Sequence, residues 1–170
     1  LAADDIPIWA AWFNDLHVTA YMNKGGFPNT ESVQGEIFER LHQSRQDVQM
    51  GVTLTGAKEL VGVIGLHRID WVHRRGEISV VIGDPDAQGK GVATEAISLM
   101  VNHAFGKLNL HKVTAGMWAT NGASRRAFEK NGFLLEGTFR DSYWLQTGYV
   151  DEIRLGLVRT EWERTRDASR

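Results

Sequence analysis

A glycine-rich turn, Gln88-Gly89-Lys90-Gly91-Val92-Ala93, lies between a predicted strand and a predicted helix. Residues 77–82 are mostly apolar and β-branched, and residues 92–107 place their apolar side chains on one helical face. The glycines let the backbone approach a ligand closely. The helix start supplies unpaired N–H groups and the positive end of a dipole, and Lys90 adds a positive charge. The turn therefore suits an anion such as a diphosphate, although a tight turn without a ligand explains the glycines equally well.

Two familiar phosphate-binding loops do not fit this turn. A Walker loop has four residues between its first glycine and a Gly-Lys pair, whereas here five residues separate Gly83 from Gly89 and another glycine follows the lysine. A dinucleotide-binding turn has a third glycine where this chain has Thr94, and an acidic residue about 20 positions later. Residues 110–112 in that region are Leu-His-Lys. Both nucleotide-binding classes are therefore excluded.

Periodicity and turn signals divide the chain into helices and strands. The predicted helices are residues 4–22, a segment after Pro28-Asn29-Thr30 that contains residues 33–41, residues 92–107 and residues 121–130. The predicted strands are residues 48–54, 60–69, 77–82, 111–118, 133–144 and 149–158. This order predicts a mixed α/β (α+β) fold with a single sheet. No linker or repeat interrupts it, so residues 1–170 are expected to form one domain.

The composition excludes several classes of site and partner. The chain has no cysteine, which excludes disulfides, thiolate metal ligands and a thiol nucleophile, and which agrees with a reducing cytoplasm. The formal net charge of -2 gives no basic footprint for DNA. No apolar run approaches the ~20 residues of a membrane span, and the amino-terminal residues lack the order of a signal peptide. The histidines show no metal-ligand spacing, so the prediction is a cytoplasmic protein without a metal site.

Three segments of the chain carry a resemblance to a known family. Gln88, Gly91 and Ala93 fill the family's pattern of Gln or Arg, two residues, Gly, one residue, and Gly or Ala. Residues 82–96 and 118–133 are similar to the two signatures of the RimJ/RimL-like branch of the GNAT superfamily of N-acetyltransferases, and the early Trp12-Phe13-Asn14-Asp15 is also similar to that branch. The resemblance implies the GNAT acyl-CoA N-acyltransferase fold, with a mixed, mostly antiparallel central sheet flanked by helices.

The resemblance also implies acetyl-CoA as the cosubstrate. The pantetheine arm is expected to bind the strand backbone, with one N–H near Val81 facing the thioester oxygen, a role that backbone donors suit. The diphosphate is expected on the glycine-rich turn. Asn121 is expected to contact the pantetheine, and the alternative is that it only caps its helix. The implied cofactor-binding residues are Val80, Val81, Ile82, Gln88, Gly89, Lys90, Gly91, Val92, Ala93, Thr94, Asn121 and Ser124.

Ser124 is the candidate for the catalytic acid. Many members of the superfamily protonate the leaving thiolate with a Tyr near position 128, but this chain has Phe128. Ser124 lies one helical turn after Asn121 on the same face, and the branch that the chain resembles often has Ser there. The alternatives are a plain solvated serine with Tyr143 or Tyr149 as a more distant acid, or unassisted departure of the thiolate, whose reference pKa is ~8.5.

Glu77 is the candidate for the catalytic base. A lysine-like amine with a pKa of ~10.4 is almost entirely protonated at pH 7, so such an acceptor needs a base or a chain of waters. Glu77 begins the strand that leads to the cofactor and could reach the cleft through water; the alternative is an exposed residue paired with an arginine such as Arg75. His67 is a second candidate, although a single histidine is more often structural. Asp151 and Glu152 are candidates for binding a cationic substrate.

The resemblance and the composition together predict an acetyl-CoA-dependent N-acetyltransferase that moves the acetyl group directly to a primary amine. The acceptor is a protein N-terminus or a small-molecule amine such as a polyamine, an aminoglycoside or an amino sugar. Tryptophans and Gly25-Gly26 could shape a small-molecule site, although large apolar residues more often belong to the core. Neither DNA nor a membrane is expected as a partner, and a homodimer is left open. The alternatives are an acyl-CoA-binding sensor or interaction module without turnover, and transfer of a longer acyl group.

Overall fold

A sheet of six strands, in the order β1-β2-β3-β4-β6-β5, runs through the molecule. It is seen in a computed structural model that describes residues 1–22, 27–145 and 147–167, with side chains to residue 165. The strands are β1 (Val48–Thr53), β2 (Leu60–Asp70), β3 (Arg75–Ile82), β4 (Lys112–Trp118), β5 (Leu134–Leu145) and β6 (Gly148–Val158). Neighbouring strands are antiparallel except β3 and β4, which are parallel. The predicted mixed, mostly antiparallel sheet is confirmed.

Helices cover both faces of this sheet. They are α1 (Ile6–Asn14), α2 (Glu31–Gln43), α3 (Val92–Gly106), α4 (Gly122–Glu129) and α5 (Arg159–Asp167). One apolar cluster packs α3 and α4 against one face of the sheet, and a second packs α1 and α2 against the other face. The predicted apolar face of α3 is confirmed, since its buried residues include Ala96, Ile97, Met100, Val101 and Ala104. Among the described residues, no helix combines the length and the apolar character needed to cross a bilayer.

The parallel strands β3 and β4 separate soon after they pair. The ladder joins Arg75–Glu77 to Lys112–Thr114 and goes no further. Beyond it, β3 stays paired with β2, and β4 stays paired with β6. A gap therefore opens between the carboxyl ends of two neighbouring strands, and it begins directly after Glu77.

The first helix is shorter than the predicted span of residues 4–22. It ends at Asn14, because the backbone of Asp15 is extended, with φ −81° and ψ 121°. The Asp15 carboxylate accepts the N–H of His17 at 2.8 Å. A short polar side chain that bonds its own neighbouring backbone competes with helix formation in this way. Leu16, which the pattern assigns to the apolar stripe, is consequently exposed.

The carboxy-terminal helix α5 is absent from the sequence prediction. Its first residue, Arg159, donates from its guanidinium to the carbonyl oxygen of Phe105 in the last turn of α3 and to that of Leu110, which follows this helix. The indole of Trp162 donates to the Asn102 side chain at 3.1 Å and packs on the Phe105 ring. The helix is thus held by contacts with residues about 50 to 60 positions earlier, which no local pattern reveals.

Trp12 of α1 packs directly on Gly83, where β3 ends. A Cβ built on Gly83 would lie 1.9 Å from the Trp12 ring. We expect Gly83→Ala to lower the free energy of unfolding by about 1–3 kcal/mol, the usual cost of overpacking a core. Urea denaturation measures this change. Gly106→Ala is the matched control, because a Cβ there meets no atom within 4 Å. Equal stability of the two variants would contradict the close packing of α1 on β3.

Candidate active site

The gap between β3 and β4 opens into a cleft of about 1070 Å³. Its walls come from the ends of both strands, the glycine-rich turn, the start of α4, and the sheet face that α1 and α2 cover. The fold thereby brings the two sequence signatures into one cavity. Of the predicted cofactor-binding residues, all except Lys90 line this cleft: Val80, Val81, Ile82, Gln88, Gly89, Gly91, Val92, Ala93, Thr94, Asn121 and Ser124.

The backbone of β3 turns alternate residues toward the gap. Just after the end of β3, the Gly83 N–H donates to the carbonyl of Val61 in β2 at 3.0 Å. Because antiparallel ladders alternate from residue to residue, the Val81 N–H also points to β2. The N–H that was expected near Val81 to face the thioester oxygen must therefore belong to a residue next to Val81 on the strand. The residues whose N–H and C=O groups face the gap are Ile78, Val80 and Ile82.

The glycine-rich turn forms a concave set of N–H groups. Gly89 and Gly91 adopt the left-handed conformation, with φ 71° and 86°, which favours glycine. Gly91 is the N-cap of α3, and its carbonyl accepts the first helical hydrogen bond, from the N–H of Glu95 at 3.0 Å. The preceding N–H groups have no acceptor within the helix, so they can bind an anion. They belong to Val92, Ala93 and Thr94.

Gln88 and Lys90 have different places in this turn. The Gln88 side chain donates to the Ile82 carbonyl at 2.9 Å, so it braces the turn against the end of β3. Lys90 is exposed and lies outside the cleft lining. Its positive charge therefore lies on the solvent side of the turn and not inside the cleft.

Asn121 and Ser124 lie together at the start of α4. The Asn121 side-chain oxygen accepts the Ser124 N–H at 3.1 Å, so the capping role is present. The amide NH₂ of Asn121 is then the group available to a ligand. Phe128 is 2% exposed and packs on Phe133 in the core, so an aromatic hydroxyl is absent there. Asn131 ties the end of α4 to α3 by donating to a carbonyl in the first turn of α3 at 3.0 Å.

Glu77 lies at the closed end of the gap rather than in the cleft lining. Its carboxylate accepts a hydrogen bond from the guanidinium of Arg68. The alternative of a glutamate paired with an arginine is thus what the structure shows. The arginine is Arg68 and not Arg75, which pairs with Asp70 at 3.6 Å.

His67 lies in the cleft lining and bridges two polar side chains that the sequence pattern did not single out. Its Nδ1 is 3.1 Å from Asp47 Oδ1, and its Nε2 is 3.0 Å from Ser79 Oγ. Asp47 and Ser79 line the same cleft. Burial raises the pKa of the Asp47 carboxyl, but hydrogen bonds from Ser44, His67 and the Arg68 backbone outweigh it and hold the pKa below its ordinary value.

Three aromatic rings contact one another in a row along the cleft. Tyr21 meets Trp118 edge-on with 6.0 Å between ring centroids, and Trp118 meets Tyr143 at 5.4 Å. Burial raises the pKa of Tyr143, and the charge and hydrogen bond of Glu152 raise it further, so its hydroxyl is a weak acid. Tyr149, the other predicted alternative acid, is 62% exposed and lies outside the cleft lining.

The two candidates for binding a cationic substrate, Asp151 and Glu152, lie on β6 outside the cleft lining, and Glu152 pairs with Arg154 at 2.8 Å. The Asp151 carboxylate accepts the N–H of Asp141 at 3.0 Å and so belongs to the β5–β6 hairpin. Gly25-Gly26 lies outside the described residues. Within the described ranges, no three His, Asp or Glu side chains are grouped so that they could hold a metal ion.

Known proteins that resemble this chain are N-acetyltransferases. Residues 1–134 match the acetyltransferase (GNAT) domain family. The chain belongs to the GNAT family. An uncharacterised N-acetyltransferase of Bacillus subtilis (strain 168) is 36% identical to this GNAT protein over 150 residues, which cover 85% of this chain and 81% of that protein. A putative ribosomal N-acetyltransferase of the same organism is 32% identical over 126 residues, which cover 74% of this chain and 67% of that one.

A solved structure shares the fold of the GNAT chain. Spermidine N-acetyltransferase from Vibrio cholerae, in complex with CoA and spermine, superposes with a TM-score of 0.86 at 22% identity, over 96% of this chain and 95% of that one. The predicted fold and family, including the likeness to ribosomal-protein acetyltransferases, are therefore confirmed. The protein is an N-acetyltransferase, and the alternative of a sensor without turnover is not favoured.

Proposed function

We propose that this N-acetyltransferase binds acetyl-CoA in the cleft between β3 and β4 and transfers the acetyl group directly to a primary amine, with residues 1–170 acting as one catalytic domain. The observation that carries the proposal is an unbroken series of main-chain N–H and C=O groups that face the cleft. It runs from the end of β3 through the glycine-rich turn to the start of α3. An extended pantetheine arm needs donors and acceptors along a strand edge, and a diphosphate needs N–H groups at a helix start.

Different residues along the cleft have different roles in the proposed reaction. Acetyl-CoA supplies the activated acetyl group. The N–H of Val80 or Ile82 stabilises the negative charge that develops on the acetyl oxygen. The amide NH₂ of Asn121 holds the pantetheine beside α4. The hydroxyl of Ser124, one helical turn later, gives a proton to the leaving thiolate.

The acceptor is proposed to be a small-molecule amine that binds as an ammonium ion. The adjacent rings of Tyr21, Trp118 and Tyr143 present aromatic faces and edges to the cleft, and ammonium groups bind over aromatic faces. Glu152, which is hydrogen-bonded to Tyr143 and paired with Arg154 at 2.8 Å, adds a carboxylate beside these rings whose charge is partly balanced. The spermine in the structure of the Vibrio cholerae enzyme is an amine of this kind and supports the class of acceptor. A peptide N-terminus is the second class to test, because a ribosomal N-acetyltransferase is among the relatives.

Release of free CoA thiol tests the proposed function. The protein is incubated with acetyl-CoA and, in turn, spermidine, an aminoglycoside, an amino sugar, amino acids and peptides with free N-termini. Release is expected with at least one primary amine and not with its trimethylated analogue, which has no proton to lose. Tight CoA binding without release by any amine would overturn the proposal.

Glu77 is proposed to assist deprotonation of the acceptor from the closed end of the gap. Glu77→Gln keeps size and removes the charge. We expect kcat/KM to fall by about 10-fold at pH 7 and to recover as the pH rises toward the amine's own pKa, where neutral amine is plentiful. A pH–rate profile measures this. Glu129→Gln, which breaks an exposed ion pair with Arg125 on α4, is the control, and profiles of Glu77→Gln and wild type that run parallel would remove Glu77 from the mechanism.

A further inference from the structure

We infer that His67, oriented by Asp47, takes the proton of the acceptor amine through the hydroxyl of Ser79. The inference rests on the proposed function, because it assigns a path to the proton that acetyl transfer to an ammonium must remove. It concerns the acceptor side of the cleft and leaves the cofactor contacts unchanged.

The hydrogen bonds define the direction of this path. Asp47 Oδ1 lies 3.1 Å from Nδ1 of the imidazole, and its other oxygen accepts the Ser44 hydroxyl at 2.7 Å. A carboxylate only accepts, so Nδ1 is the protonated nitrogen of the neutral ring. Nε2 then carries the lone pair and accepts the Ser79 hydroxyl at 3.0 Å. The neutral ring is thus held ready to receive a proton at the end that faces Ser79.

The sheet contains a space for this ring. Gly65 lies between Gln49 and Ser79 in the register of β1, β2 and β3. A Cβ on Gly65 would lie 2.1 Å from His67 Nε2 and 2.7 Å from Gln49 Oε1. A side chain at this position would therefore push the imidazole away from Ser79. The ring lies across Gly65 because that residue has no side chain.

Ser79 connects this path with the place where the acetyl group is proposed to bind. Side chains two apart on a strand lie on one face, about 7 Å from each other. Ser79 and Val81 are such a pair, on the face of β3 that α1 and α2 cover. The backbone groups of Val80 and Ile82, which face the gap, flank Val81. An amine that approaches the acetyl carbon from this face lies within reach of the Ser79 hydroxyl, directly or through one water.

Four charged groups lie on the elements around the ring. Asp47 and Glu77 are negative; Glu77 lies directly opposite His67 in the β2–β3 ladder. Arg68 is positive and is paired with Glu77, and Arg40 of α2 lines the same cleft. Asp47, which contacts Nδ1 at 3.1 Å, favours the imidazolium that forms when His67 accepts a proton. The charge of Glu77 is partly balanced by its pair with Arg68, so Glu77 has only an assisting role, without direct contact.

The proton balance of the step is complete with these groups. The ammonium gives one proton to the Ser79 oxygen, and the Ser79 proton moves to His67 Nε2, so an imidazolium forms and a neutral amine remains. The amine nitrogen bonds to the acetyl carbon, and the bond from that carbon to sulfur breaks. The nitrogen gives its second proton to solvent, the Ser124 hydroxyl gives its proton to the thiolate, and the Ser124 oxygen regains a proton from solvent. His67 finally returns its proton to solvent, to which 25% of its side chain is open.

The pH dependence of kcat/KM tests this inference. Wild type, His67→Gln and His111→Gln are compared with acetyl-CoA and the amine that releases CoA fastest in the panel. Wild type is expected to show an inflection in the range where imidazole titrates, roughly pH 5 to 8. His67→Gln should lose this inflection, be slower by about 10-fold to 100-fold at pH 7, and recover toward high pH. His111→Gln, at an exposed histidine outside the cleft, should follow wild type.

Asp47 is a positioning residue, and two further variants test it. Asp47→Asn removes the charge that favours the imidazolium, so kcat/KM at pH 7 should fall and the pH–rate profile should differ from that of wild type. Gly65→Ala keeps all three polar residues and displaces the ring, so its profile should resemble that of His67→Gln. Profiles of His67→Gln that run parallel to an active wild type would overturn the relay alone. Absence of turnover by wild type with every amine would overturn the proposed function, and the relay with it.

Discussion

Gly91→Glu is expected to leave the protein folded and to weaken CoA binding by at least about 100-fold, or about 2.7 kcal/mol. The new carboxylate would lie at the N-cap of α3, beside the N–H groups that are proposed to hold the diphosphate. It adds bulk where the backbone must approach the ligand, and it places a negative charge against a negative group. The fold should persist because a Cβ on Gly91 meets no atom of the chain within 4 Å. Isothermal titration calorimetry with CoA measures the loss.

Gly56→Glu is the matched control for this variant. Gly56 lies in the loop between β1 and β2, has φ +83°, and likewise has open space around a Cβ. Both substitutions therefore carry the same cost of a left-handed side chain, roughly 1–2 kcal/mol, and both add one negative charge. Gly56→Glu should bind CoA as wild type does. Equal affinity in a folded Gly91→Glu variant and in Gly56→Glu would contradict a diphosphate site on the turn.

Ser124→Ala is expected to lower kcat by about 10-fold to 100-fold, the low end of general acid catalysis. The hydroxyl lies in the cleft on α4, and the neighbouring Phe128 is buried in the core and has no hydroxyl to substitute for it. KM for acetyl-CoA should change little, because an interaction made only as the thiolate leaves affects kcat and not ground-state binding. Steady-state kinetics at saturating amine separates the two constants.

A serine outside the cleft provides the control for Ser124→Ala. Ser32 is exposed in the first turn of α2, and Ser32→Ala should retain wild-type kcat. The Asn121 cap is unaffected by Ser124→Ala, since it binds the backbone N–H of residue 124. An unchanged kcat in Ser124→Ala would leave the thiolate to depart unaided, as its reference pKa of ~8.5 allows.

The cofactor half of the site could be predicted from sequence because its parts are local. The strand, the glycine-rich turn and the helix start lie within residues 77–94, so glycine positions and periodicity alone suggest an anion site. The direction of the strand N–H groups could not be predicted. It depends on the register of β3 with β2, which directs the Val81 N–H away from the gap.

The acceptor half could not be predicted in the same way because its residues meet only through the sheet. Asp47 directly precedes β1, and His67 and Ser79 lie in β2 and β3. The space for the imidazole depends on a glycine two residues before the histidine. One signal was available: residues 49, 65 and 79 become neighbours once both hairpins are in register. The early end of α1 and the presence of α5 were missed for related reasons, since an aspartate competing with the helix and an arginine binding a distant helix end override local periodicity.

Direct detection of the acetylated amine tests the central claim that this cleft transfers acetyl from CoA to an amine. The protein is incubated with acetyl-CoA and an amine from the panel, and mass spectrometry follows the amine and the intact protein while a thiol reagent follows free CoA. Direct transfer predicts one acetylated amine for each CoA released, an unmodified protein throughout, and no measurable product with Gly91→Glu at acetyl-CoA concentrations near the wild-type KM. CoA release without an acetylated amine, or an acetyl group that accumulates on the protein, would contradict direct transfer.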